Sequence, residues 1–189
     1  MQVQVSAPEE MQMLVRQAVD TYLAEKAQKE KEAERPKKIA LISTKGTLDM
    51  AYPPLILATT AAALGWDAAI FFTFYGLNII HRQKQTKLRV PPLGNPAMPM
   101  PVPNLIGAIP GMTSLGTMVM KSMFKSHGVA SIDDLLEAAV AGGVRLMPCA
   151  MTMGVFGYKN GDLMEAAETP CGAATFLDWA SDADISLFV

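Results

Sequence analysis

Apolar positions follow two different periods along this chain. From about Pro8 to Lys38, Met11, Leu14, Val15, Ala18, Tyr22 and Leu23 recur at spacings of three and four, the stripe of an amphipathic helix. The helix continues through the charged run EKAQKEKEAERPKK as far as Pro36, where a ring without an N–H ends it. Short apolar runs follow. KIALIS predicts a buried strand, TKGTLD a loop, and YPPLILATTAAAL over residues 52–64 a helix closed by Gly65. Pro53 and Pro54 suit a first turn, where backbone donors have no partner in any case. WDAAIFFTF reads as a second strand and YGLNIIHRQ as a short helix behind it.

The pattern resumes at Ser131, which with Asp134 three residues on resembles an N-terminal cap pair. Ile132, Leu135, Leu136, Ala139 and Val140 supply one apolar face, and Gly142-Gly143 ends the helix. VRLMP is the next strand and runs directly into Cys149. A short helical turn, a helix near Gly161–Ala167, an extended stretch at about Glu168–Pro170, a helix over Gly172–Ala180 and a last strand, DISLFV, complete the chain. Apolar strands alternating with helices predict a parallel sheet covered on both faces. The expected fold is a three-layer α/β/α domain with a mostly parallel five-stranded sheet, preceded by an N-terminal helical extension. The expected boundaries are 1–37 for the helix and linker and 38–189 for the domain, with an insertion at about 88–126.

That insertion carries no charge between Arg89 and Lys121. A membrane span needs about 20 mostly apolar residues in continuous helix. Pro91, Pro92, Pro96, Pro99, Pro101, Pro103 and Pro110 interrupt it, each at about 3 kcal/mol inside a helix. A single span is therefore not expected. What remains is a Pro-rich entry, PPLGNPAMPMPVPN, and a Met-rich tail, MTSLGTMVMKSMF. Methionine suits surfaces that repack against partners. The stretch Met98–Met123 reads as a loop packed on its own domain, a partner-docking flap, a subunit interface or a membrane-surface patch.

Composition narrows the function classes. Half of the 189 residues are hydrophobic and the net charge is −2, so the basic footprint of a nucleic-acid binder is missing. Two cysteines, Cys149 and Cys171, are too few for a secreted disulfide scaffold. MQVQVSAPEE lacks the basic start and apolar run of a signal peptide. Together these predict a reducing, cytoplasmic setting. His81 and His127 stand alone, so no metal site is expected, and no cofactor is expected either.

The chemistry centres on Cys149. It ends an apolar strand in LMPCAMTMG, and the carboxyl ends of parallel strands form the ligand crevice of such sheets. The following helix would offer free N–H groups there, which favour a thiolate and would favour a persulfide anion equally. Met151 and Thr152 would line that position. Lys45, Gly46, Thr47 and Asp49, in the first loop, would shape a turn at the same edge. Cys171 also precedes a helix, in TPCGAATF, and would serve as a second thiol if the two cysteines share one sheet edge.

The segment KIALISTKGTLDMAYPPLILATTAAALGWDAAIFFTFYGLNII, the Pro/Met-rich insertion, MPCAMTMGVFG and the ending TFLDWASDADISLFV together resemble the DsrE/DsrF-like sulfurtransferase family, in its branch with an insertion before the third helix. The resemblance covers about Lys38 to Val189. It implies a parallel five-stranded sheet between helices and a homo-oligomer. It also implies a sulfur relay that takes a persulfide from a rhodanese-like donor or a small TusA-like carrier and passes it on. The family's sulfur-binding cysteine matches Cys149, and STKGT matches the loop placed near it; Cys171 is not assigned by that motif. Two other classes stay open: a non-catalytic assembly or membrane-peripheral module, and a thiol peroxidase or disulfide oxidoreductase using Cys149 and Cys171.

Overall fold

The computed structural model of the protein describes residues 9–91 and 111–189. The chain divides between Pro36 and Lys37 into two compact units. In the first, the predicted helix is α1, Glu9–Glu34.

The second unit alternates strand and helix. β1 is Lys38–Ser43, α2 Leu48–Ala63 and β2 Asp67–Phe72. Short 3-10 turns follow at Phe74–Ile79 and Gln85–Lys87, then α3, Met112–Ser126, and α4, Ile132–Ala141. β3 is Arg145–Pro148, α5 Ala150–Phe156, α6 Ala173–Ala180 and β4 Ile185–Phe188. The strands form one sheet in the order β3-β2-β1-β4, and every pairing is parallel. Residues 92–110 lie outside the described residues, and with them the Pro-rich entry after Pro91, Met98 and Met100. Met112–Met123 of the Met-rich stretch lie in α3. No described helix is long and apolar enough to cross a membrane.

Period-two alternation sorts the strand residues between two apolar clusters. Ile39, Leu41, Ile70, Phe72 and Leu146 join Leu48, Leu55 and Ala58 of α2 and Leu136 and Ala139 of α4. Ala40, Ala69, Phe71, Met147 and Cys149 join Phe176 of α6, whose ring stacks on Phe71 at 4.8 Å between centroids. Each fully buried Leu, Ile or Phe stabilises the fold by about 1.5–3 kcal/mol. The caps agree with the sequence at α4, where the Ser131 hydroxyl accepts from the Asp134 N–H at 3.2 Å and the Asp134 carboxylate accepts from the Ser131 N–H at 3.0 Å.

Several expectations are corrected. The described sheet has four strands, not five. The stretch at Glu168–Pro170 does run beside β3: the Glu168 N–H donates to the Leu146 carbonyl and the Cys171 N–H to the Pro148 carbonyl, each at 2.9 Å. Between those bonds the edge advances from 168 to 171 while β3 advances only from 146 to 148. The extra residue breaks the register as a bulge does, and Pro170 has no N–H to give. One isolated bridge survives, Cys149 to Cys171. The helix expected near Gly161–Ala167 shrinks to a 3-10 turn at Asn160–Asp162, and YGLNIIHRQ is a 3-10 turn as well. α2 begins four residues earlier than predicted, because Thr47 takes the extended backbone of a cap and the Leu48 N–H finds the Arg89 carbonyl at 2.9 Å. Pro53 and Pro54 consequently lie inside the helix.

Candidate functional site

Cys149 sits where β3 ends and α5 begins. Its N–H donates to the Phe72 carbonyl at 2.9 Å, which continues the β2–β3 ladder by one more bond, and its own carbonyl accepts from Met153 at 3.0 Å, which starts the helix. Its backbone is extended, at φ −75 and ψ 112, as a capping position requires. The first-turn amides of a helix lack partners within the helix. The Ala150 N–H is taken by the Cys171 carbonyl at 2.9 Å; those of Met151 and Thr152 act on the sulfur electrostatically, with no cap hydrogen bond closed to it. Cys149 is only 3% exposed.

Two hydroxyls complete this surrounding. Thr73, just past β2, and Thr152, in the first turn of α5, hold their oxygens 3.0 Å apart in a buried pair. The Phe74 N–H donates to the Thr152 oxygen at 3.3 Å. The pair owns two protons, and their mutual bond uses one. The other is free for the sulfur whichever way the pair is oriented. Burial pushes the Cys149 thiol up, but the hydroxyl and N–H of Thr152, the Thr73 hydroxyl and the Met151 N–H outweigh it, so its pKa lies below the ordinary thiol value. No charged side chain is among those causes. The thiolate is favoured by dipoles alone.

Phe74 takes the left-handed conformation at φ 47, which for a non-glycine residue costs about 1–3 kcal/mol. That strain turns the chain at the point where Thr73 meets Thr152. Beyond the turn, Tyr75 stacks on Phe156 at 5.6 Å. Met151 and Val155, one helical turn apart, are 68% and 76% exposed.

Cys171 lies beside Cys149. The bridge pairs them directly, and both thiols pack in the same apolar cluster, on the same face of the sheet edge. Cys171 is partly exposed and both cysteines are free. Its pKa shifts the opposite way: burial, the Glu168 carboxylate and Cys149 push it up, against the Arg145 guanidinium. Arg145 and Glu168 form a two-pronged ion pair at 2.6 and 2.9 Å. The guanidinium also lies 5.6 Å from the Trp179 ring centroid.

Of the residues singled out in the sequence, Met151 and Thr152 act on Cys149, Met151 through its backbone N–H. The first loop packs one step away. Gly46 lies so close to the Tyr75 carbonyl oxygen that a Cβ there would overlap it, and Gly76 stands likewise against Ser43. These two glycines let the β1–α2 loop lie on the segment that carries Thr73, a contact fixed by the Gly76 N–H to the Thr44 carbonyl at 3.1 Å. Gly46 and Thr47 line a separate recess with Asn78, Lys84, Lys87 and Arg89. None of Lys45, Gly46, Thr47 and Asp49 is among the groups that shift the Cys149 thiol. Sequence reasoning missed Thr73 as a site residue. The signal available was a lone hydroxyl closing the apolar run of β2. Among the described residues no cluster of three His, Cys, Asp or Glu side chains could hold a metal ion.

Fold and site together define a thiol protein of the parallel α/β class. The chain belongs to the DsrE/DsrF/DrsH-like family, whose model matches residues 35–188. It is 46% identical over 159 residues to the sulfur carrier protein DsrE2 of Allochromatium vinosum, covering 81% of this chain and 98% of that protein. It is 26% identical over 159 residues to YrkE of Bacillus subtilis, covering 82% of this chain and 99% of that one.

Proposed function

We infer that this protein is a sulfur carrier that holds a sulfane sulfur as a persulfide on Cys149. The observation that carries the reading is the placement of that thiol. It stands at a strand end, facing the hydroxyls of Thr73 and Thr152 and two backbone N–H groups that together lower its pKa despite burial. A thiolate is the competent nucleophile for taking sulfur. In net terms, the outer sulfur of a donor persulfide passes to the Cys149 thiolate. The donor's inner sulfur leaves as a thiolate and Cys149–S–SH remains. Passing the sulfur to an acceptor thiolate is the same step in reverse, with no net oxidation. The likeness to a protein named as a sulfur carrier supports this reading.

Rhodanese-like and TusA-like proteins are the donors and acceptors we propose, in a cytoplasmic relay. The exposed flank of Met151 and Val155 beside the cysteine offers such a partner apolar surface to bury. The apolar stripe of α1 supports self-association into a homo-oligomer. The test is a mass measurement after incubation with a sulfur-loaded donor and desalting. Wild type retains the mass of one added sulfur atom, and Cys149→Ser retains none. Equal retention by the serine variant refutes the assignment.

A further inference from the structure

A store that is 3% exposed poses a problem of traffic, because an acceptor thiol on another protein cannot reach it directly. The residue paired with it across the sheet edge is the other, partly exposed thiol. We propose that Cys171 is the port through which sulfane sulfur enters and leaves Cys149, by persulfide exchange between two thiols held side by side. The proposal rests on the reading of Cys149 as the sulfur holder and adds the route.

Three observations carry it. The Cys171 N–H and carbonyl bond the residues on either side of Cys149, Pro148 and Ala150, each at 2.9 Å, so the two backbones are locked in register. Strands so paired run about 4.8 Å apart. Both thiols enter one apolar cluster, so they leave the edge on the same side. Cys171 also feels the charge of Cys149. An S–S bond is about 2.05 Å long, so a sulfur attached to one thiol reaches a large part of the way to its neighbour without backbone movement.

The exchange balances. On loading, the Cys171 thiolate attacks the outer sulfur of a donor persulfide, which forms Cys171–S–SH and releases the donor thiolate. The Cys149 thiolate then attacks that same outer sulfur. One S–S bond forms, one breaks, and Cys171 leaves as a thiolate that takes up a proton. Discharge runs the two steps backwards toward an acceptor thiolate. No oxidant or reductant is consumed. The two environments suit the two roles: the thiol pushed down by its hydrogen-bond donors holds the anion. The thiol pushed up by burial and Glu168 is the stronger nucleophile once ionised, and no hydrogen-bond donor is among the groups acting on it to hold a persulfide anion there.

The test uses the full chain with glutathione persulfide as donor and free glutathione as acceptor. The sulfur on each cysteine is read by peptide mass after timed alkylation. Cys171→Ala and Cys171→Ser should both load and discharge Cys149 at least about ten-fold more slowly, since the held neighbour is replaced by a bimolecular encounter. Cys149→Ala should still take sulfur on Cys171 at the wild-type rate and lose it on desalting. If either Cys171 variant loads Cys149 as fast as wild type, the port is overturned and the carrier reading stands. If Cys171 stays bare in Cys149→Ala, the port is likewise overturned. Absence of sulfur from Cys149 in the wild type overturns both.

Discussion

Replacing Thr152 by Val removes one hydroxyl from the surroundings of the Cys149 sulfur while keeping nearly the same shape. The hydroxyl is 3.0 Å from that of Thr73, and it is one of the groups that lower the Cys149 pKa. A hydrogen bond to a charged group is worth about 1.5–3 kcal/mol, and one pKa unit corresponds to about 1.4 kcal/mol. Complete loss would raise the thiol's pKa and cut the thiolate's share by at least about ten-fold. The Thr73 hydroxyl, freed from its partner, and the amides of Met151 and Thr152 remain, so the expected loss is at the low end, a fall of about ten-fold in the thiolate fraction below the midpoint. The assay is an ultraviolet titration of thiolate absorbance in a Cys171→Ala background, where Cys149 is the one thiol left. Thr152→Ser, which keeps the hydroxyl, should titrate close to the Thr152 protein. The valine variant also leaves the Phe74 N–H without its acceptor, so a lower melting temperature should accompany the shift. A midpoint that stays put or moves down refutes the account of how this thiolate is held.

Three further outcomes follow from the same geometry. Gly76→Ala forces a Cβ into the Ser43 carbonyl and should destabilise the fold by about 1–3 kcal/mol, read by denaturant unfolding. Arg145→Met removes the cation that opposes the upward shift of Cys171. In a Cys149→Ala background the pH–rate curve for alkylating Cys171 should move to higher pH. Cys149 itself links folding to pH: its folded pKa is depressed, so the unfolded chain binds the extra proton between the two pKa values and stability rises with pH there. That contribution is fully present above the unfolded thiol pKa and is lost as pH falls through the folded one. Cys149→Ala should lack this slope, and an unchanged pH profile of melting would contradict it.

The strands β1, β2 and β3, the capping box at Ser131 and Asp134, and the position of Cys149 at a strand end were all legible in the residues. Each is a local property: period-two apolar runs, a side chain three residues from a backbone donor, a cysteine directly after VRLMP. Helix boundaries were less legible, because the start of α2 depends on a carbonyl at Arg89, far along the chain. The fifth strand failed for a reason spread over two segments, an extra residue opposite β3 and a proline where a donor was needed. Neither counts against a strand until the partner is known.

The environment of Cys149 has the same character. Thr73 reaches Thr152 from 79 positions away, brought there because β2 lies next to β3 in the sheet. Cys171 reaches Cys149 by crossing the same edge. From composition and spacing alone, one thiol at a helix start and another in TPCGAATF are two separate features. Strand order brings them side by side. Hydrogen-bond donors around Cys149 lower its pKa against burial, while burial and the Glu168 and Cys149 charges raise that of Cys171, because desolvation, charge and hydrogen bonding act between groups that folding has made neighbours.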